Sequence, residues 1–265
     1  MNHNPYECNK VPETTRCKCC GQSSTLAGLV DFSRCGADVH AGKKVDPYAG
    51  WPVYFYRCGS CGFTFTRALD HWQNQDFATH IYNDDYARHD PDYLGARPQS
   101  NADMILKSLG GMKDQISLLD YGSGLGMMAD ILGQNGFASV ASFDPFSSAQ
   151  RPDRQFNMVT CFEVFEHVND PVALVKDISS FLSADGALLF STLFCPQQAV
   201  DEGLHNWWYC APRNGHISFY TAEALTALAA RFDLRLHSFT DGLHALYRPT
   251  VASWLKPLIT PAGQS

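Results

Sequence analysis

A short pattern occurs twice, as Cys17-x-x-Cys20-Gly21 and Cys58-x-x-Cys61-Gly62, and it limits what the first part of this chain can become. Two residues between thiolates, with a glycine following, let a tight turn aim both sulfurs at one ion. Two such turns complete a tetrahedral four-sulfur shell. A full shell leaves no position for water or substrate. The expectation is therefore a structural Zn2+ held by Cys17, Cys20, Cys58 and Cys61, stapling a domain too small for an adequate core of its own. The competing reading, ordinary buried thiols, leaves the repeated glycine unexplained. Cys19 and Cys35 are left over, and Cys19 has the poorer spacing. Ten cysteines are many for a reducing compartment, and a metal accounts for the clustered ones. Met1 to Arg16 is polar and has no signal-peptide core, and apolar stretches such as Gly186 to Phe194 are too short to span a bilayer. A cytoplasmic protein without a membrane partner is expected.

Up to about Thr66 the chain is rich in Cys, Gly and aromatic residues. Val53 to Tyr56 and Phe63 to Thr66 read as strands around a turn. Residues 1–68 are expected to form a zinc-ribbon-like domain. Residues 69–97 mix Tyr82, Tyr86 and Tyr93 with Asp84, Asp85, Asp90 and Asp92, and read as an irregular or short-helical bridge. From residue 98 onward strands alternate with helices. Strands are expected at Ile116–Tyr121, Val140–Phe143, Phe156–Cys161 and Ala187–Thr192. Helices are expected at Asn101–Leu109, Met127–Leu132, Val172–Leu182 and Thr221–Phe232, the last with Thr221 as N-cap. Leu234–Phe239 and His244–Tyr247 read as a terminal antiparallel hairpin. This order predicts an α/β fold: a Rossmann-like, mostly parallel sheet with helices on both faces, over residues 98–265. Hydrophobic residues at 45% suffice for a real core. A net charge of −7 with no basic run disfavours a phosphate backbone as partner, so no nucleic acid is expected.

Asp120-Tyr121-Gly122-Ser123-Gly124-Leu125-Gly126 joins a strand to a helix. Glycines let the backbone turn sharply and approach a ligand, while the helix start offers N–H groups. The spacing is G-x-G-x-G, not the G-x-G-x-x-G that cradles a dinucleotide pyrophosphate. Asp144 then ends the next strand, where a carboxylate can take both hydroxyls of a ribose. A tight turn without a ligand is the bland alternative.

These residues resemble the class I S-adenosylmethionine-dependent methyltransferases, and among them the ubiquinone-pathway O-methyltransferases and bacterial methyltransferases of sugars and secondary metabolites. Leu118 to Gly126 looks like that family's first motif, Asp144 like its ribose-binding acid, and Asn157 to Pro171 like the segment running beneath the cofactor. Leu188 to Leu193 is similar to the strand that follows. The likeness covers roughly Pro98 to Tyr247, and the paired knuckles resemble the zinc-binding front of some of these enzymes. It implies S-adenosylmethionine as cofactor, at Asp120, Gly122, Ser123, Gly124, Gly126, Asp144, Pro145, Phe146, Phe162 and Glu163. One departure is that only Pro145 to Gln155 separates Asp144 from the next strand. The family fits a further helix and strand there, ending in an acid that reads the adenine amino group. Adenine is therefore expected to be held by packing on Phe146, with Phe162 nearby.

Methyl transfer is an in-line displacement in which the protein supplies alignment and, for a hydroxyl acceptor, a base. Trp207, Trp208 and Tyr209, followed by His216 and Tyr220, lie in the loop that should overhang the cofactor. The tryptophans are expected as a platform for a small-molecule ring and His216 as general base; a core lid and a satisfied histidine are the alternative. Glu163-x-x-Glu166-His167 forms a second constellation, read as polar lining with Glu163 and His167 near the chemistry. In the ubiquinone-pathway relatives this pattern is associated with a divalent metal. His205, His244 and the Tyr82–Tyr93 segment are further wall candidates. The leading function is methylation of a small-molecule hydroxyl. A zinc-ribbon RNA or protein methyltransferase and a nicotinamide-dependent oxidoreductase are the alternatives.

Overall fold

The computed structural model describes residues 11–146 and 150–259. The outer ends of the first and last expected segments, and residues 147–149 of the stretch after Asp144, lie outside the described residues.

The first unit is an antiparallel sheet. Its strands β1 (Thr14–Arg16), β2 (Ser23–Asp31), β3 (Pro52–Cys58) and β4 (Thr64–Thr66) pair in chain order, with α1 (Gly36–Ala41) inserted between β2 and β3. β3 is the expected Val53–Tyr56 strand extended at both ends; β4 is the expected Phe63–Thr66 strand. Three short helical pieces follow: α2 (Asn74–His80), α3 (Tyr86–His89) and a 3₁₀ turn at Pro91–Leu94. The long α4 (Ala96–Leu109) begins before the expected Asn101.

The second unit supplies β5 (Ser117–Tyr121), α5 (Met127–Gln134), β6 (Ser139–Phe143), β7 (Phe156–Cys161), α6 (Pro171–Phe181), β8 (Leu182–Ser191) and α7 (Gln197–Asp201). After β9 (Ser218–Phe219) come α8 (Ala222–Ala230), β10 (Arg235–Ser238), β11 (Leu243–Tyr247) and α9 (Lys256–Ile259). The sheet order is β10-β11-β8-β7-β5-β6, parallel from β8 to β6 and antiparallel where the terminal hairpin joins β8. Its central strands are continuous apolar runs because both faces are covered. Along β8, Leu188 and Phe190 face α6 and α8, while Ala187 and Leu189 face the core built on α4 and α5. Local chemistry sets the helix starts. Asp170 accepts from the N–H groups of Val172 and Ala173, with Pro171 at the first helical position; Thr221 accepts from Ala224 N–H.

The two units share a core. β9, far along the chain, pairs with β4 and completes the first sheet. Phe63 and Phe65 belong to one apolar cluster with Phe165, Phe190, Tyr220 and Leu225. Each such phenyl ring contributes about 1.5–3 kcal/mol by leaving water. No helix among the described residues is long and apolar enough to cross a membrane.

Candidate active site

β5 and β6 end side by side, and the loop after β5 is built by positive φ. Gly122 (φ 75°) could carry no side chain, since a Cβ there would stand 2.5 Å from Val164 Cγ2. Gly122 N–H donates to the Phe143 carbonyl at 2.8 Å. Asp144 ties the opposite wall to the loop: its carboxylate accepts from Gly124 N–H at 2.9 Å and from Phe146 N–H at 2.8 Å. Carboxylate oxygens each carry more than one lone pair, so these bonds orient the group for diol hydroxyls as well.

A cavity of about 770 Å³ opens here. It is lined by Asp120, Gly122, Ser123, Gly124, Asp144, Pro145, Phe146, Phe162, Glu163 and His167. Gly126 lies at the start of α5 beneath the loop, with Ser142 rather than the cavity beside it. All the other residues expected to hold a nucleoside cofactor are thus brought to one cleft.

Asp120 lies at the back of that cleft, 5% exposed, accepting from Thr160 Oγ1 at 3.0 Å. Burial raises its carboxyl to about 7; the Thr160 bond lowers it only in part, and the Asp144 charge adds to the rise. The folded chain therefore keeps a proton that the unfolded chain releases near pH 3.9. This group favours folding most below that pH, and its contribution is lost as pH rises through about 7. Asp120→Asn is expected to match the wild type in thermal stability at pH 4. At pH 8 it should exceed the wild type by about 2–4 kcal/mol. Calorimetry of the ligand-free protein at both pH values checks this; equal differences at the two would refute it.

Glu163, just after β7, has a left-handed backbone (φ 55°), a strained state that non-glycine residues adopt at functional turns. Ser191 at the end of β8 holds it, accepting from Glu163 N–H at 2.8 Å and donating to its carboxylate at 2.7 Å. Ser191 was not expected in the site; only the parallel pairing of β7 and β8 brings it there. Next, a 3₁₀ turn at Phe165–His167 sends Glu166 inward and His167 to the cavity. Glu166 is fully buried and neither carboxylate oxygen has a partner of hydrogen-bonding geometry. Burial pushes its carboxyl far up; the Glu163 charge adds to this, and the Tyr209 and Thr192 hydroxyls oppose it weakly. Burial, with His216 and Arg97 nearby, drives the His167 imidazole well below its usual range, so it is neutral.

His216 does not line the cavity. It lies one ring behind His167, centroids 4.8 Å apart and edge to face. Its Nδ1 donates to the Tyr209 carbonyl at 2.9 Å, which fixes the tautomer and leaves Nε2 as acceptor. Glu166, His167 and His216 present ligand atoms within 4.8 Å of one another, so the trio could hold a cation.

The expected aromatic platform lies elsewhere. Trp207 packs on Phe219 and Tyr209, and Trp208 is 42% exposed beside His40. Tyr209 is buried, accepting from Leu193 N–H, and Tyr220 is a core residue donating to the Phe165 carbonyl at 2.9 Å. None of the four lines the cavity, because the loop from Leu204 to Tyr220 folds down onto the first sheet instead of over the cleft. His205 is exposed, and His244 is buried between Ser238 and the Thr192 carbonyl. The wall comes instead from the bridging residues Trp72, Phe77, Tyr82, Tyr86, Asp90, Tyr93 and Arg97. Arg97 grips Asp90 with two parallel bonds of 2.9 and 2.8 Å, bracing Tyr93 over Gly124. The Tyr82–Tyr93 part of this wall was among the candidates read from the sequence; Trp72, Phe77 and Arg97 were not.

The two cysteine knuckles converge. Cys17 Sγ and Cys61 Sγ are 3.7 Å apart, Cys20 Sγ and Cys58 Sγ 3.5 Å, and all four lie within 4.8 Å of one another. Sulfurs about 2.3 Å from one tetrahedral ion stand about 3.8 Å apart, so the cluster has the dimensions of a four-thiolate centre. Thr221 Oγ1 donates to the Cys61 carbonyl at 2.6 Å and Arg231 to the Cys19 carbonyl at 3.1 Å, fastening the knuckles to α8.

A parallel sheet with a glycine loop after its first strand and an acid after its second defines a nucleoside-binding α/β fold. Residues 86–238, more than half of the chain, match the family described as methyltransferase domain, and the chain belongs to that family. It is similar to a ubiquinone biosynthesis O-methyltransferase of Yersinia enterocolitica, 29% identical over 34% of this chain and 48% of the relative. A protein of the same description from Coxiella burnetii is 31% identical over 36% and 42%. The chain thus spans just under half the length of these curated relatives. Among solved structures, an O-methyltransferase family 2 protein from Planctomyces limnophilus in complex with apigenin aligns at 16% identity. It covers 62% of this chain and 61% of that one, with a TM-score of 0.45.

Proposed function

We propose that this protein transfers a methyl group from S-adenosylmethionine to a hydroxyl of a small molecule. The observation that carries this reading is one cavity lined both by the glycine loop and Asp144 and by Glu163 and His167. Gly122, Gly124 and the carboxylate of Asp144 would hold the cofactor, which supplies an electrophilic methyl on a sulfonium. Tyr82, Tyr93 and the Asp90–Arg97 pair enclose the acceptor and exclude water. His167, neutral and facing the cavity, takes the hydroxyl proton as the new carbon–oxygen bond forms. His216 orients His167 from behind. The volume suits a cofactor and a small acceptor, and the names of the relatives, ubiquinone biosynthesis O-methyltransferases, favour a ring hydroxyl. Residues 1–68 are proposed as a unit stapled by Zn2+ at Cys17, Cys20, Cys58 and Cys61, and 69–97 as the wall joining it to the catalytic unit 98–265. Turnover tests the reading: S-adenosylhomocysteine should accumulate with a hydroxylated acceptor from a panel of phenols and sugars. Tight NAD binding in place of S-adenosylmethionine would refute it. Asp144→Ala should weaken S-adenosylhomocysteine binding by about 1.5–3 kcal/mol, as for losing a charged hydrogen-bond partner. Calorimetry measures it, and unchanged affinity removes Asp144 from the site.

A second reading rests on Glu166, whose buried carboxyl finds no partner of hydrogen-bonding geometry beside His167 and His216. A divalent cation would satisfy all three, with the Tyr209 carbonyl orienting His216 as an outer-shell partner. Chelation that abolishes turnover, with recovery on adding Mg2+, would favour it over a free base.

A further inference from the structure

We infer that Asn74 reads the edge of the cofactor's adenine, so that a residue outside the parallel-sheet unit selects the nucleoside base; this rests on the cofactor assignment proposed above. A ribose held at Asp144 would leave its base along the residues that follow, Pro145 and Phe146, which line the same cavity. Between the end of β6 and the start of β7 the described residues form no strand or helix that could wall this end of the cavity. α2 forms the wall instead: Asn74, Phe77 and Ala78 line the cavity that Asp144, Pro145 and Phe146 line, as does Gln75, whose carboxamide donates to Thr79. Positions i, i+3 and i+4 share one helical face, so the side chains of Asn74, Phe77 and Ala78 are presented together. Phe77 is buried and anchors that face, with Trp72 packed edge-on at 5.2 Å and Phe146 edge-on at 6.5 Å.

Among these aromatic faces the polar groups are mostly committed. Asp177 binds the Tyr121 hydroxyl and Arg151, Asp170 caps α6, and Gln75 donates to Thr79. The Asn74 carboxamide makes no hydrogen bond to any described residue. A carboxamide sets one donor and one acceptor side by side, the complement of adenine's amino group and adjacent ring nitrogen. Aromatic faces accept any base by stacking, so selection of adenine falls to such an edge contact.

The test is calorimetric, with S-adenosylhomocysteine and its analogue lacking the 6-amino group. The wild type should prefer the amino compound by about tenfold, the effect of one hydrogen bond. Asn74→Leu, an exposed substitution, should bind the two equally, with its affinity for the deamino analogue lower than the wild type's by about tenfold at most, the effect of the ring-nitrogen bond it also loses. Gln75→Leu should retain the wild-type preference. A preference that survives Asn74→Leu, or its absence in the wild type, overturns the inference and leaves the cofactor assignment standing. Failure of the wild type to bind S-adenosylhomocysteine at all overturns both.

Discussion

Replacing His167 by alanine should lower turnover by about 10²–10⁴-fold while leaving S-adenosylhomocysteine affinity nearly unchanged. The size follows from losing a positioned base. The selectivity follows from place: His167 lies in the turn after β7, on a different segment from the loop and Asp144 that would bind the nucleoside. Burial keeps its imidazole neutral, so no prior deprotonation is needed, and the same burial makes it a weaker base than a free imidazole. His216→Ala should have a smaller effect, on kcat more than KM, because His216 acts through the ring it supports. His216→Gln, which can still donate to the Tyr209 carbonyl, should recover part of the loss. Steady-state kinetics with a chelator present and absent decides the matter. If His167→Ala is nearly silent, the proton goes elsewhere and the assignment fails. If wild-type activity vanishes with chelator and returns with Mg2+, the trio binds a cation instead.

The other large effect concerns the cysteine cluster. Elemental analysis should find one zinc per chain, and Cys58→Ser should lose it. Apparent binding energies of structural zinc sites are about 10–16 kcal/mol, more than a sheet this small can replace by burial. Loss of the metal should therefore unravel β1 to β4. The consequence should extend into the catalytic unit. β9 pairs with β4, and its neighbour Ile217 donates to the Glu166 carbonyl at 2.8 Å while accepting from Thr66. Ser218 Oγ donates to the Val168 carbonyl at 2.7 Å. The turn that carries Glu166 and His167 is thus braced by the sheet that bears the cysteine knuckles. Since displacement of a reacting group by about 1 Å can cost roughly 10²-fold, turnover should fall sharply. The glycine loop rests on β5, β6 and α5, so cofactor binding should largely persist. Full turnover in a zinc-free protein would refute this coupling, and a full zinc equivalent in Cys58→Ser would refute the site.

What could be read from the sequence was local. The two Cys-x-x-Cys-Gly turns, the glycine loop and Asp144 each depend on a few adjacent residues whose spacing dictates backbone geometry. The alternation that defines β5 to β8 and their helices was legible for the same reason, since a buried strand or an amphipathic helix shows its period in its own residues. Even α4, which starts before Asn101, differs only at its end, where capping and not periodicity decides.

The tertiary structure decided which side chains meet. Glycine beside His216 and two adjacent tryptophans suggested a loop over the cleft, but Phe219 stacks on Phe55 and the whole segment is drawn into the first sheet. That burial removes Trp207, Tyr209 and Tyr220 from the cavity and sets His216 behind His167. Residues 69–97 carry no long period, and of them only the Tyr82–Tyr93 segment stood out as a candidate wall; Phe77, Ile81 and Tyr86 place them by packing into a core shared with β2 and β3. Spacing along a chain determines what one turn can do. Contacts between residues far apart in sequence depend on which apolar faces find each other, and only the folded core settles that.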